Sequence, residues 1–248
     1  MSNSLPGAVL ITGANGGLGV RLVAGLLRAG ITNLACHYRS SSEAVAELLA
    51  SHGLDPAQHL FQAELTDETA VTAMGKAVLE RVGPVWGLVN IAGASSNAMS
   101  WKMSREEFTR VLESNLVSTF LTTKTFLPGM RDQAGGRIIN VSSVIAHTGI
   151  AGASHYCAAK AGIEGFTRAV AQEVASKKIT ANCLALGYFD QGIIADVPAD
   201  MLEVIKSRVP LKRLGSADEL APLVGYLLSP DAGFMTGQIL HLNGGLYL

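Results

Sequence analysis

Charge is scarce in this chain. Only 16% of its 248 residues are charged, and 19 basic against 20 acidic side chains leave a formal net charge of −1. Without long runs of like charge there is no electrostatic footprint for gripping a polyphosphate backbone, so no nucleic-acid partner is expected. Long apolar runs are also missing: nothing reaches the ~18 to 20 uninterrupted residues that span a bilayer. The opening, MSNSLPGAVL, has neither the charged nor the apolar region of a signal peptide, and a cytoplasmic protein with no membrane partner is expected. Cysteine is sparse as well. Cys36, Cys157 and Cys183 are odd in number and match no metal-knuckle spacing, so they read as free, small buried side chains, with no metal site expected. Linkers, repeats and low-complexity tracts do not occur.

What is present is apolar: 48% of residues are hydrophobic, enough for a deep core. The length suits one large α/β domain or two small ones. Apolar runs rich in β-branched residues alternate with segments of helical period, the pattern of βαβ units around a buried parallel sheet. Candidate strands are Ala8–Ile11, Asn33–Tyr38, His59–Gln62, Val85–Asn90, Gly136–Ser142, Ile179–Ala185 and Gln238–Leu242. Seven strands fit one doubly wound, Rossmann-like sheet flanked by helices, with residues 1–248 as a single domain. Two capping boxes are predicted, Ser104 with Glu107 and Ser216 with Glu219, in each of which Ser caps the first turn and Glu reaches back. The stretch Tyr188 to Arg213, carrying Gly192, Pro198 and Pro210, breaks the alternation and reads as a lid.

The first strand runs into Thr12-Gly13-Ala14-Asn15-Gly16-Gly17-Leu18-Gly19, with a helix starting near Leu18. Glycines there let the backbone approach a pyrophosphate at a helix N-terminus, where free N–H groups and the helix dipole favour an anion. After the second strand, the place of the acidic residue that holds an NAD ribose 2′-hydroxyl is taken by Tyr38, and Arg39 follows. Arg39 offers planar, charge-assisted donors to a 2′-phosphate, with Ser40 and Ser41 as hydroxyl donors, so NADPH is the expected cofactor. Ala63-Glu64-Leu65-Thr66 and Asn90-Ile91-Ala92-Gly93 follow the third and fourth strands, at the sheet edge where ligands lie.

The reactive centre is sought in Ser143, after the fifth strand, and in Tyr156-Cys157-Ala158-Ala159-Lys160 within a helix. Tyr156 and Lys160, four apart, share a helix face. An ammonium ~4 Å from a phenol at an effective dielectric of ~20 is worth ~4 kcal/mol, so Lys160 is expected to lower the Tyr156 pKa towards neutrality. Lys160 would also hold the nicotinamide ribose hydroxyls, and Ser143 would donate to the carbonyl oxygen that gathers charge. Asn115 sits in the middle of an apolar helix, where an amide needs a partner.

These motifs together resemble the short-chain dehydrogenase/reductase family over essentially the whole chain. Val209-Pro210-Leu211-Lys212-Arg213-Leu214-Gly215, Gly233-Phe234-Met235-Thr236-Gly237-Gln238 and Leu242-Asn243-Gly244-Gly245-Leu246-Tyr247-Leu248 are most similar to its 3-oxoacyl-acyl-carrier-protein reductases. The resemblance implies a catalytic tetrad of Asn115, Ser143, Tyr156 and Lys160, with Asn115 holding a water that relays protons to the lysine. It implies cofactor contacts at Gly13, Asn15, Gly16, Gly17, Leu18, Gly19, Arg39, Ser40, Glu64, Leu65, Asn90, Ala92, Gly93, Tyr156, Lys160, Gly187 and Phe189. The implied reaction is NADPH-dependent reduction of a 3-oxoacyl thioester on acyl carrier protein, in fatty-acid, polyketide or aryl polyene assembly. The sequence departs from the family at Gly16, where NADPH users often carry a basic residue, at Glu64 for Asp, Ile91 for Asn, Leu186 for Pro and Gln191 for Thr. Met99, Trp101 and Met103 near the pocket mouth are also unlike the housekeeping enzymes. A reductase or dehydrogenase of a free small alcohol, sugar or steroid, and a non-catalytic NADP-binding regulator, are the alternatives. The carrier reading expects a basic docking patch beside the pocket, for which Lys177, Lys178 and Arg131 are the candidates. A homotetramer is expected, paired through helices around Glu107 to Met130 and Tyr156 to Ala175, with the apolar tail Leu246-Tyr247-Leu248 in a second interface.

Overall fold

The computed structural model describes residues 5–133, 135–192, 194 and 197–248. Its strands are β1 (Ala8–Thr12), β2 (Leu34–Tyr38), β3 (Leu60–Gln62), β4 (Val85–Asn90), β5 (Gly136–Ser143), β6 (Ile179–Leu186) and β7 (Ile239–Leu242). They form one seven-stranded sheet in the order β3-β2-β1-β4-β5-β6-β7, every pairing parallel. The order reverses between β1 and β4, which opens a crevice at their carboxyl ends. The helices are α1 (Gly17–Arg28), α2 (Glu43–Ser51), the short α3 (Pro56–His59), α4 (Glu68–Val82), α5 (Arg105–Leu112), α6 (Ser118–Asp132), the short α7 (Ile145–Thr148), α8 (Ser154–Val174), α9 (Ala199–Arg208) and α10 (Leu220–Leu228). A π-helical stretch, Glu113–Val117, joins α5 to α6.

The sheet is covered on both faces, which is why its strands read as continuous apolar runs rather than alternating ones. Leu22, Leu26, Val224 and Leu227 of α1 and α10 pack on Val9 and Ile11 on one side. Val71 and Met74 of α4, Leu121 and Phe126 of α6, and Val170 and Val174 of α8 close over Leu10, Leu88 and Ile138 on the other.

The expected strand bounds hold to within a residue at each end. Ser143 and Leu186 extend β5 and β6 because they pair with each other, a register that periodicity cannot reveal. His59 belongs instead to the turn of α3, capped by Asp55, and the Gln238 N–H goes to the Asn182 side chain rather than to a strand. The first expected capping box is half formed. Ser104 Oγ accepts the Glu107 N–H at 3.0 Å, but the Glu107 carboxylate accepts from Ser96 Oγ at 2.8 Å instead of reaching back. The second is complete, with Glu219 Oε2 accepting the Ser216 N–H at 2.8 Å. The stretch after β6 contains α9, which buries no residue and exposes Met201 and Val204. Positions 193, 195 and 196 of that stretch lie outside the described residues. Among the described residues no helix is long and apolar enough to cross a membrane, and no group of His, Cys, Asp or Glu is arranged to hold a metal ion.

Candidate active site

The turn after β1 is built around backbone contact. Gly13 has φ +65, and a Cβ on Gly19 would stand 2.2 Å from the Gly13 carbonyl, so the turn lies directly on the first turn of α1. The leading N–H groups of α1 have no carbonyl four residues back, which leaves an anion-favouring helix end facing the crevice. Asn15 braces the neighbouring loop: its Oδ1 accepts the Val45 N–H at 3.0 Å and its Nδ2 lies 3.5 Å from Ser41 Oγ. Arg39 and Ser40 in that loop are exposed. No carboxylate among the described residues pairs with the Arg39 guanidinium. Close backbone, free helix-end amides and an unengaged guanidinium fit a dinucleotide bearing a 2′-phosphate.

The other strand ends are more occupied than their sequence suggested. Glu64 Oε1 accepts from the Thr66 N–H and hydroxyl at 3.1 and 3.0 Å, so this carboxylate is engaged within its own loop, while Leu65 is buried. Asn90 is committed inward: its Nδ2 donates to Asn140 Oδ1 at 2.9 Å and its Oδ1 accepts from Thr122 at 2.8 Å. The side chain therefore ties β4 to β5 and α6, and only the backbone of Asn90 remains for a ligand. Thr12 Oγ1 accepts the Ile91 and Ala92 N–H groups at 3.1 Å each, fastening the end of β4 to β1. Gly187 packs its Cα against Asn243, and Phe189 is buried against Gly215. A Cβ on Gly17 would stand 2.9 Å from the Gly192 nitrogen, so the stretch after β6 lies over Gly17 and Leu18 at the start of α1.

Three of the four expected reactive residues converge. Asn115, fully buried in the π-helical stretch, donates through Nδ2 to the Ala94 and Val111 carbonyls at 2.7 and 2.9 Å, and its Oδ1 has no donor. A Cβ on Gly93 would fall 2.4 Å from that Oδ1 and 3.5 Å from Lys160 Nζ, which places both groups against one glycine. Lys160 is 3% exposed, and its Nζ donates to the Val141 carbonyl at 2.8 Å and stands 5.4 Å from the centre of the Tyr156 ring. Ser143 closes β5 at the same sheet edge, its Oγ 3.4 Å from the Ile145 nitrogen.

The electrostatics reverse one expectation. Burial, rather than Lys160, dominates Tyr156 and pushes its pKa well above the ordinary phenol value, with the neighbouring Cys157 adding to the rise. Burial also lowers Lys160, to about 8. One proton of the ammonium goes to the Val141 carbonyl, and burial outweighs the neighbouring charge at the phenol. Burial thus favours the neutral form of both groups, the protonated phenol and the uncharged amine.

Other polar residues surround the centre that no motif had marked. Ser142 donates to the buried Glu164 at 2.8 Å and lies 3.1 Å from the Lys160 carbonyl, while His147 Nε2 is 2.9 Å from the same Glu164 oxygen. Buried His155, next to Tyr156, stands 2.8 Å from Ser96. His37, inside β2, bridges Gly13 and Ala63. Their one signal in the sequence was a polar residue within an apolar run, which does not say what it touches. Lys177 and Lys178, expected beside the pocket, precede β6 and so lie at the opposite edge of the sheet from Ser143. A strand of eight residues at ~3.3 Å each puts about 25 Å between the two edges.

Comparison with known proteins agrees with this architecture. The family described as short chain dehydrogenase matches residues 7–201. The chain is 36% identical over 247 residues to a 3-oxoacyl-[acyl-carrier-protein] reductase FabG of Pseudomonas aeruginosa, covering 99% of both chains. It is 38% identical over 237 residues to a Nodulation protein G of Azospirillum brasilense, covering 96% of each. It is 36% identical over 242 residues to an Acetoacetyl-CoA reductase of Allochromatium vinosum, covering 96% of this chain and 98% of that one.

Proposed function

The chain belongs to the short-chain dehydrogenase family, and from that premise we propose that it is an NADPH-dependent reductase of 3-oxoacyl thioesters presented on acyl carrier protein. The observation that carries the reading is the meeting of Asn115 Oδ1 and Lys160 Nζ against Gly93, with the Tyr156 ring 5.4 Å from that Nζ, at the strand-end edge that also bears the glycine turn. When bound, NADPH supplies the hydride. Gly13 to Gly19, with Leu18, would hold its pyrophosphate, Arg39 and Ser40 its 2′-phosphate, and the loops at Leu65, Ala92, Gly93, Gly187 and Phe189 its remaining parts.

Tyr156 is the proton donor to the carbonyl oxygen of the substrate. Its raised pKa keeps the phenol in the acid form that a reduction consumes. As the oxygen gathers charge, Ser143 donates a hydrogen bond to it and Lys160 holds positive charge beside the developing phenolate. That charge compensates the phenol only when proton transfer begins, which favours the transition state over the resting state. Asn115, whose Oδ1 has no partner, would hold a water that relays protons to Lys160. The segment 188–213 would act as the lid, since its beginning lies over the first turn of α1.

Support for a homotetramer comes from the two long helices. Val111, Leu121, Ile163, Val170 and Val174 are buried within the subunit, whereas Phe108, Val117 and Phe120 are exposed and Phe166 is edge-on to Phe120 at 6.2 Å. An apolar strip left on the outer face is what a partner helix pair would cover. The tail is left exposed at both Tyr247, which stacks on His147, and Leu248.

Lys177 and Lys178 stand away from the pocket edge, and an acetoacetyl-CoA reductase is as similar as a carrier-protein reductase. A coenzyme A thioester is therefore the second reading. The deciding experiment is NADPH consumption with carrier-bound 3-oxoacyl thioesters, acetoacetyl-CoA and a panel of free ketones. A kcat/KM highest for the carrier-bound thioester is expected. Preference for a free ketone would refute the substrate assignment, and no turnover with any would refute the enzyme.

A further inference from the structure

His37, one residue before the end of β2, is 2% exposed and plays no part in the reaction proposed above. The β1–β2 ladder stops at the pair Ile11 and Cys36, so beyond it the glycine turn has no strand partner. His37 supplies one twice over. Its main-chain carbonyl accepts the Ala14 N–H at 2.8 Å, and its Nδ1 accepts the Gly13 N–H at 3.0 Å. On the far side of the ring, Nε2 stands 3.0 Å from the carbonyl of Ala63, which opens the loop of Glu64 and Leu65. One side chain thus links the ends of β1, β2 and β3.

An amide N–H only donates and a carbonyl only accepts, so these partners fix the ring: neutral, with a lone pair on Nδ1 and a proton on Nε2. Desolvation lowers the His37 pKa and holds it in that form, against smaller opposing effects from the Ala63 bond and the nearby Glu64 charge. With the Gly13 and Ala14 N–H groups taken by His37, and that of Gly16 by the Gly13 carbonyl at 3.0 Å, the amides left for an anion are those of Asn15 and of the first turn of α1. The turn has little room to find another arrangement, because a Cβ on Gly13 would already stand 3.0 Å from the Ala92 Cα.

We propose that His37, as its neutral Nε2–H tautomer, is the positioning residue of the dinucleotide turn, setting Gly13 relative to the Ala63 loop and thereby the affinity for the cofactor. The inference rests on the reading of Gly13 to Gly19 as a dinucleotide site. An apolar ring at this position leaves the half-buried Gly13 N–H without its acceptor, and the amides of the turn lose their alignment.

The test measures NADPH and NADH binding by calorimetry, steady-state kinetics and thermal unfolding for the wild type, His37→Phe, His37→Asn and His37→Gln. Asparagine places an oxygen where Nδ1 stands and still accepts from Gly13; glutamine reaches only towards Ala63. His37→Phe is expected to raise the Kd and KM for NADPH about tenfold, the size of one hydrogen bond to a half-buried amide, with kcat at saturating cofactor little changed. His37→Asn restores most of the affinity and His37→Gln does not. A merely structural role would lower the Tm of all three and leave the KM where it was, which overturns the proposal. Ring-nitrogen NMR shifts of the wild type read the tautomer without any substitution, so poor folding of the phenylalanine variant leaves two independent measurements. A proton found on Nδ1, or a folded His37→Phe that binds NADPH like the wild type, also overturns it. A wild type that binds neither dinucleotide refutes the reading of the turn itself, a failure seen before any variant is made.

Discussion

Lys160→Met removes the charge of a buried side chain while keeping its length, and its effect on stability has a pH dependence that follows from the site. Lys160 is 3% exposed, and burial lowers its pKa from 10.5 to about 8. At ~1.4 kcal/mol per tenfold change, that fall corresponds to about 3 kcal/mol. The unfolded chain keeps the proton up to 10.5, whereas the folded chain releases it near 8. Below pH ~8 the wild type carries the whole penalty of the buried ammonium, and between about 8 and 10.5 the penalty is relieved as pH rises. The stability of the wild type minus that of Lys160→Met should therefore rise by about 3 kcal/mol across that window. Loss of the 2.8 Å bond to the Val141 carbonyl, on the order of 1–3 kcal/mol, offsets the difference by a constant and does not alter its slope. Tyr156, raised by burial, titrates in both proteins and drops out of the difference to first order. Urea unfolding of both proteins at intervals from about pH 7 to about pH 11, spanning both pKa values, followed by tryptophan fluorescence, gives the curve. Parallel stabilities across the range would refute the reasoning, because they would mean that the folded lysine titrates at its ordinary value. The same titration should limit turnover, with kcat/KM for reduction falling as pH rises through about 8, and Lys160→Met should lose NADPH consumption even where it is the more stable protein.

Tyr156→Phe should lower kcat by about 10²- to 10⁴-fold, the range for losing a general acid, while the NADPH Kd from fluorescence titration stays close to the wild-type value. Arg39→Asp should turn the cofactor preference from NADPH towards NADH, because the carboxylate repels the 2′-phosphate and accepts from the ribose hydroxyl; kcat/KM for both cofactors checks this, and an unchanged preference would place the phosphate elsewhere. Phe120→Glu puts a charge on a residue that is 44% exposed within one subunit, and light scattering should show the proposed tetramer breaking into smaller species. A wild type that is fully active at monomer size would refute the interface instead.

The sequence by itself determined the fold class and the order of its parts. Seven apolar runs spaced by helical segments leave little choice but a parallel sheet covered on both sides, and the glycine turn after β1 announces its own geometry, since Gly19 admits no Cβ against the Gly13 carbonyl. Asn115, Tyr156 and Lys160 were legible for the same reason. Chemistry-bearing residues at helical spacing, or alone in an apolar helix, stand out locally.

What lay beyond local reach was every relationship between strands. Whether Asn90 faces a ligand or Asn140, whether the Glu64 carboxylate is free or held by Thr66, and which carbonyl takes the Lys160 ammonium are settled by neighbours up to 50 residues away. The raised pKa of Tyr156 belongs here too, because spacing brings Lys160 onto the right helix face but only packing decides that its Nζ turns to Val141. His37 is the extreme case. Nothing within β2 distinguishes it from any other polar residue in an apolar run, and its meaning appears only where three strand ends converge. Periodicity reports which face of an element is buried, whereas a buried hydrogen bond is defined by its partner, and in a parallel sheet that partner comes from the far end of a crossover.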